Sequence, residues 1–182
     1  MPFLLSHSFA GVAVSSTPFS QSVPRRIWWL AALCAAIPDF DYAWNLNRYG
    51  SQEWFAHRGI THTPLFATGL ALAMVWFAMP SHGRGMRGRL WTALFLATLS
   101  HGILDALSSY GQGIPFLFPF STTRYHFPWT PIRADPHGGG IVSILLRSIR
   151  TEILWIWFPG SILLAITALR RRRQVRKAAV SP

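Results

Sequence analysis

Cysteine is all but missing from this chain: Cys34 stands alone in 182 residues. That excludes a disulfide framework and any zinc site built from several thiolates. Charge is scarce too, at 13% of residues, and acidic charge scarcest, with six Asp and Glu in all. Lysine occurs once, at Lys177, so 16 of the 17 basic residues are arginine and the net charge is +11. A soluble nucleic-acid binder of this charge carries more lysine and a more polar surface. Intrinsic disorder is excluded by the 51% content of hydrophobic residues. What fills the chain instead is Leu, Ala, Ile, Phe and Trp, with a mean hydropathy of +0.27. The balance is that of a membrane protein.

Five apolar stretches carry little charge: residues 3–14, 27–37, 64–80, 90–107 and 153–169. A spanning helix needs about 20 residues, within a range of about 17–25. Stretches 64–80, 90–107 and 153–169 meet that length, the last interrupted by Pro159-Gly160, which can kink it. The first two are shorter and are expected to be re-entrant, partly buried or extended by their neighbours. Stretch 3–14 makes a poor signal peptide, because no basic residue precedes it and His7 lies inside it. The expected fold is therefore all-α, a multi-pass membrane bundle of about four to five apolar helices. Residues 1–169 form one membrane-embedded domain and residues 170–182 a basic cytoplasmic tail. A soluble core of unusually apolar helices is the alternative.

Basic residues near span ends favour the cytoplasm. Clusters stand at Arg25-Arg26, at Arg84, Arg87 and Arg89, and from Arg170 to Arg173 with Arg176 and Lys177. Placing all three inside makes the stretches alternate without conflict, with the C-terminus cytoplasmic; Arg147 and Arg150 alone flank a span on the opposite side. Under this topology Asp39, Asp41, His57, His62, His101 and Asp105 all fall at the outer ends of their helices, and His7 joins them if stretch 3–14 spans with its start outside. Residues a hundred positions apart thus converge on one layer.

Their spacings suit metal binding. His101 and Asp105, four apart, share one helical face. Asp39 and Asp41 follow a helix-ending Pro38 and are expected to be extended, both pointing at a common centre. His57 and His62 are five apart, poor for one helical face. They are better placed in a loop that Gly59 tightens and that enters a helix with Thr63 as N-cap and Pro64 first. Imidazole with carboxylate suits zinc, manganese or iron. His7 alone reads equally as a core histidine, His101 with Asp105 as a proton relay, and His82, His126 and His137 as loop residues.

These residues carry a resemblance. His7, Pro38-Asp39-Phe40-Asp41, His57-Arg58-Gly59-Ile60-Thr61-His62-Thr63 and Ser100-His101-Gly102-Ile103-Leu104-Asp105, in this order, resemble the motifs of the YdjM-type, LexA-regulated membrane-bound metal-dependent hydrolases. That family is distantly similar to zinc-dependent phospholipase C and the zinc nucleases. The likeness covers about residues 1–136, with Ser109-Tyr110-Gly111, Pro119-Phe120-Ser121 and Asp135-Pro136 resembling later segments; Thr63 stands where many members carry Ser. The resemblance implies a helical phospholipase C-like fold in the bacterial inner membrane. It also implies two or more divalent ions, zinc foremost, on His7, Asp39, Asp41, His57, His62, His101 and Asp105. Asp41 or Asp39 would be the general base or a bridging ligand. Arg58 is the first candidate to neutralise a substrate phosphate, or else a salt-bridge partner of Glu53 or another carboxylate, and Arg124 is the second.

The function expected is hydrolysis of a phosphoester, in a lipid or lipid-linked substrate given Trp44, Trp54 and Trp129 nearby. Membrane lipid is the expected partner and nucleic acid is not. A metal- or proton-coupled transporter, or a non-catalytic protein stapled by metal, are the other readings.

Overall fold

The computed structural model describes residues 2–17, 26–44, 54–78, 84–133 and 140–180. Among them the chain is helical, with no strand, only two isolated bridges: Ser108 with Ile132 and Ile114 with Tyr125. Helices α1 (Leu4–Ser15), α2 (Arg26–Ala36), α4 (Pro64–Ala78) and α5 (Arg84–Ala106) follow the first four apolar stretches closely. A short α3 (Asp41–Trp44), α6 (Ile141–Glu152) and α7 (Phe158–Val180) complete the set.

Helix α5 is the axis; α1, α2 and α4 all pack on it, and α7 lies along α1. Small side chains bring these helices close. Gly11 of α1 has no room for a side chain, since a Cβ there would stand 2.4 Å from the Cβ of Ala35. Ala31, Cys34, Ala93 and Ala97 line the same seam, with Ile27, Leu90 and Leu94 filling its far end. Close approach through Gly and Ala is how helices associate where lipid gives no hydrophobic drive.

Helix α2 stops where Pro38 disfavours helical geometry in the residue before it. Residues Ile37–Phe40 tighten into a 3-10 turn and Asp41 opens α3. The Asp39-Phe40-Asp41 run is thus helical in character, a correction to the extended arrangement expected from sequence. The turn keeps both carboxylates beside the end of α2.

Proline also shapes the last helix. The chain from Ile141 to Lys177 is one continuous helical run. Pro159 cannot donate to the preceding turn, and the run answers with a π-helical turn at Ile153–Trp157 instead of a break. It also continues helical past residue 169, so the basic tail is the end of α7. This run is the one helix long and apolar enough to cross a bilayer among the described residues. Helices α1 and α2, with 12 and 11 residues, measure about 18 and 16 Å at 1.5 Å per residue.

Candidate metal centre

The helix directions decide the site. Helices α1, α4 and α7 start, and α2 and α5 finish, at one end of the bundle, so His7, Asp39, His62, His101 and Asp105 meet there. Arg87, lying over Trp76, and Arg171, over Trp28, mark the other end. Arg25 lies outside the described residues and Arg84 begins α5.

Thr63 and Pro64 open α4 as their residue types require. The Thr63 hydroxyl accepts the Phe66 N–H at 3.2 Å and donates to the Ile60 carbonyl. Just before them, residues 54–62 fold back tightly. Gly59 fits there because a Cβ would stand 2.2 Å from the Trp54 carbonyl oxygen. The left-handed backbone in this loop belongs to Arg58, at φ 64°, a conformation costing about 1 kcal/mol or more for a residue with a side chain.

Hydrogen bonds fix the tautomers of two histidines. His101 Nδ1 lies 2.6 Å from the Ala35 carbonyl at the end of α2. A carbonyl only accepts, so Nδ1 carries the proton and Nε2 presents a lone pair. The Thr61 hydroxyl donates its one proton to Asp41 Oδ2 at 2.6 Å, leaving its oxygen to accept from His62 Nδ1 at 2.9 Å. His62 Nε2 then presents a lone pair as well. The two Nε2 atoms face each other at 3.1 Å.

Carboxylates close the group. Asp39 Oδ1 is 3.3 Å from His101 Nε2 and 3.8 Å from His62 Nε2, and Asp105 Oδ2 is 3.4 Å from His62 Nε2. Asp39, His62, His101 and Asp105 thus each offer one ligand atom within 4.8 Å of the others. Asp39 Oδ1 and Asp105 Oδ2 are buried and have no hydrogen-bond partner. Four acceptors aimed at one point repel one another unless a cation lies between them, and two imidazoles with two carboxylates are a fitting set for a divalent transition metal. Without an ion, a proton can take the cation's place. Against the penalty of burial, the nearby carboxylates of Asp105, Asp39 and Asp41 push the His62 pKa up to about 10, so a metal ion would displace that proton from Nε2. Burial likewise opposes ionisation of Asp39, but the adjacent His101 and His62 imidazoles hold its carboxyl well below the usual range.

A second, looser group comprises Asp41, His57 and His62. His57 Nδ1 is 2.7 Å from Asp41 Oδ1, and His57 is half-buried, nearer to solvent than the first group. Burial opposes ionisation of Asp41, and the hydrogen bond from His57, foremost among several, keeps it low.

His7 stands beside these groups, outside both. It stacks on His101 with ring centroids 3.7 Å apart, and its Nε2 is 3.7 Å from Asp105 Oδ1. Both its nitrogens are buried without a hydrogen-bond partner.

The two arginines differ. Arg58 is 2% exposed. Its Nη2 donates to Asp105 Oδ1 at 2.9 Å and its Nη1 to the Tyr110 carbonyl at 2.5 Å. The guanidinium lies against Gly111, at φ +106°, where a Cβ would collide with it. The carboxylate it serves is Asp105, and no face of it opens to a substrate. Glu53, the other partner weighed for it, lies outside the described residues. Arg124 is half-buried and donates Nη1 to the Arg58 carbonyl at 2.9 Å. It lines a small recess, of about 10 Å³, with Trp54, Gly59, Ile60, Pro115, Phe118 and Thr122.

Sequence reasoning missed Thr61, whose hydroxyl links His62 to Asp41, and Glu152, the acid of α6. Glu152 accepts the Phe3 N–H and the Ser6 hydroxyl, and Ser6 accepts the Trp157 indole N–H at 2.8 Å. These bonds tie the start of α7 to the residue before His7. Of the remaining histidines, His126 is exposed, with Nε2 3.1 Å from the Gly111 carbonyl. His82, His137, Arg48 and Asp135 lie outside the described residues, as does the side chain of Trp44; Trp54 and Trp129 are exposed.

The profile of the YdjM inner membrane protein family matches residues 1–175 of this chain. The inner membrane protein YbcI of Escherichia coli (strain K12) is 28% identical over 174 residues, covering 94% of this chain and the whole of that relative. No solved structure matches it.

Proposed function

We propose, starting from the fact that this chain belongs to the YdjM inner membrane protein family, that it is a metal-dependent hydrolase of phosphoester bonds. Its substrate class is a lipid or lipid-linked phosphoester, and it crosses the membrane several times with the metal centre toward the periplasmic face. The observation that carries this reading is the convergence of His62 Nε2, His101 Nε2, Asp39 Oδ1 and Asp105 Oδ2. Zinc suits these donors best, with a second ion beside Asp41 and His57. His7 completes the ligand set by a small shift of its ring toward Asp105. A bound divalent ion lowers the pKa of water from 15.7 to ~7.

The chain's own groups do the rest. Asp105, held by Arg58, and His101, held by the Ala35 carbonyl, keep their ligand atoms in place, as second-sphere partners do in metal enzymes. Asp41 orients the attacking water and accepts its proton, with the His57 imidazole beside it to relay that proton toward solvent. Asp39 shares this task from the other side. Arg124, in the recess beside the Arg58–Ile60 backbone, supplies the cation for a phosphate oxygen.

A second reading rests on one observation. His62, His101 and Asp105 are closed off from solvent, as ligands of structural metal sites are, so the ion could staple the helices without turnover. Metal analysis of detergent-purified protein with a phosphodiesterase assay separates the two. The wild type is expected to hold at least about one equivalent of zinc, as a closed four-donor site does, and His62→Ala to lose it. Asp41→Asn should abolish turnover while the protein stays folded. Metal retained with no turnover at any loading would leave the staple reading standing; metal absent from the wild type would end both.

A further inference from the structure

Helix α6 is built inside out for a helix on a soluble protein. Ile144, Ser148, Thr151 and Glu152 make its inward stripe, and Ser148 and Glu152 are buried there. Ile141, Val142, Leu145, Leu146 and Ile149 point away from the protein, Ile141 at 84% exposure and Val142 at 65%. Beside this apolar stripe, at helical spacing, Ser143, Arg147 and Arg150 form an exposed polar and basic one. Arg133 is exposed nearby, its N–H donating to the Thr151 hydroxyl at the end of α6.

Length narrows what covers the apolar stripe. The helical run Ile141–Lys177 has 37 residues, or about 55 Å at 1.5 Å per residue, against a hydrocarbon core of about 30 Å. Helix α7 with its tail is more than enough to cross. Helix α6 is left over on the side of the metal centre, joined through the π-helical turn at Ile153–Trp157, the point at which the run can bend to lay α6 along the interface. An apolar stripe flanked by arginines is the pattern of a helix lying in a lipid interface, its rings and branches in the acyl region and its cations on anionic headgroups.

We infer that α6 is an interfacial helix that lays Ile141, Val142, Leu145, Leu146 and Ile149 into the lipid leaflet beside the metal centre. Arg147 and Arg150 then contact anionic headgroups. The inference uses only membership of an inner membrane family and holds whether or not the centre is catalytic. It also accounts for two arginines that sit on the wrong side for a topology signal: their counter-ions are lipid phosphates. The candidate centre then lies near the level of the headgroups, beside a helix able to gather them.

The test places an environment-sensitive fluorophore on α6 of the full chain, reconstituted in phosphatidylcholine vesicles with and without phosphatidylglycerol. Leu145→Cys and Ser143→Cys, each in a Cys34→Ala background, are compared. Bromine-labelled acyl chains are expected to quench the label at position 145 at least about twofold more than at 143, as burial of one face in the acyl boundary requires. Iodide is expected to show the reverse. Phosphatidylglycerol should deepen the difference, and Arg147→Gln with Arg150→Gln should cancel that effect. Iodide reaching both positions equally would mean that α6 stands in water and would overturn the inference. Position 145 shielded from both quenchers, with label-to-label energy transfer between copies, would assign the stripe to a second copy of the chain and overturn it too. Phosphatidylglycerol dependence that survives the double substitution would sink the headgroup contact.

Discussion

Arg58 shows how far a residue's role can lie from its neighbourhood in sequence. Next to His57 and inside a metal motif, it reads as a phosphate ligand; folded, its guanidinium reaches 47 positions along the chain to Asp105. Removing one member of a buried ion pair leaves the other charged and unsolvated, at a cost of about 3–5 kcal/mol. Arg58→Ala is therefore expected to lower the unfolding free energy of the metal-free protein by about that amount, measured by denaturant unfolding in detergent. Arg58→Lys, which keeps the charge and loses the planar fork, should fall between. If stability stayed at the wild-type level while substrate KM rose, Arg58 would be a substrate ligand after all. The cluster of histidines and aspartates was legible for a local reason: His101 and Asp105 are one helical turn apart, and Thr63-Pro64 marks where the His62 segment must end. Thr61 was not, because a hydroxyl counts only once it is known which two groups it joins.

Helices meet at the centre by contact closer than most helices allow. Gly102, beside His101 on α5, has the His62 carbonyl oxygen where a Cβ would be, at 2.5 Å. Gly102→Ala is expected to push the His62 segment off α5 and weaken zinc binding by about 10–100-fold, the range typical of disturbed outer-sphere positions. Competition with a chelating dye measures it. Gly69→Ala, on α4 with nothing within 4 Å of the new carbon, serves as the control and should leave affinity unchanged; equal loss in both would point to general destabilisation. Three of the five apolar stretches match their helices to within two residues, and the fourth, 90–107, lies within α5, which starts six residues earlier, at Arg84. Helix α6 escaped because Ser143, Arg147, Ser148 and Arg150 break its apolar residues into groups of two, three and one, leaving a stripe without a run. The π-helical turn escaped because its cause, Pro159, stands after it, and a kink and a bulge relieve the same clash.

Acidic charge is gathered at one end of the molecule, where Asp39, Asp41 and Asp105 lie, while Arg87 and Arg171 mark the other. With basic ends retained in the cytoplasm, a reporter fused after Pro182 is expected to report from the cytoplasm and one inserted beside Ser51 from the periplasm. The opposite pair would turn the centre to face the cell interior. The bonds from Glu152 to Phe3 and Ser6 have a further consequence, in time rather than space. The acid that ties down the start of α1, the helix of His7, is made about 150 positions after it. A nascent chain that has passed Asp105 but not Glu152 carries all seven candidate ligands with that tie still missing. Their clustering therefore waits for the end of α6, and a chain arrested before Glu152 exposes histidines and aspartates that it cannot yet arrange.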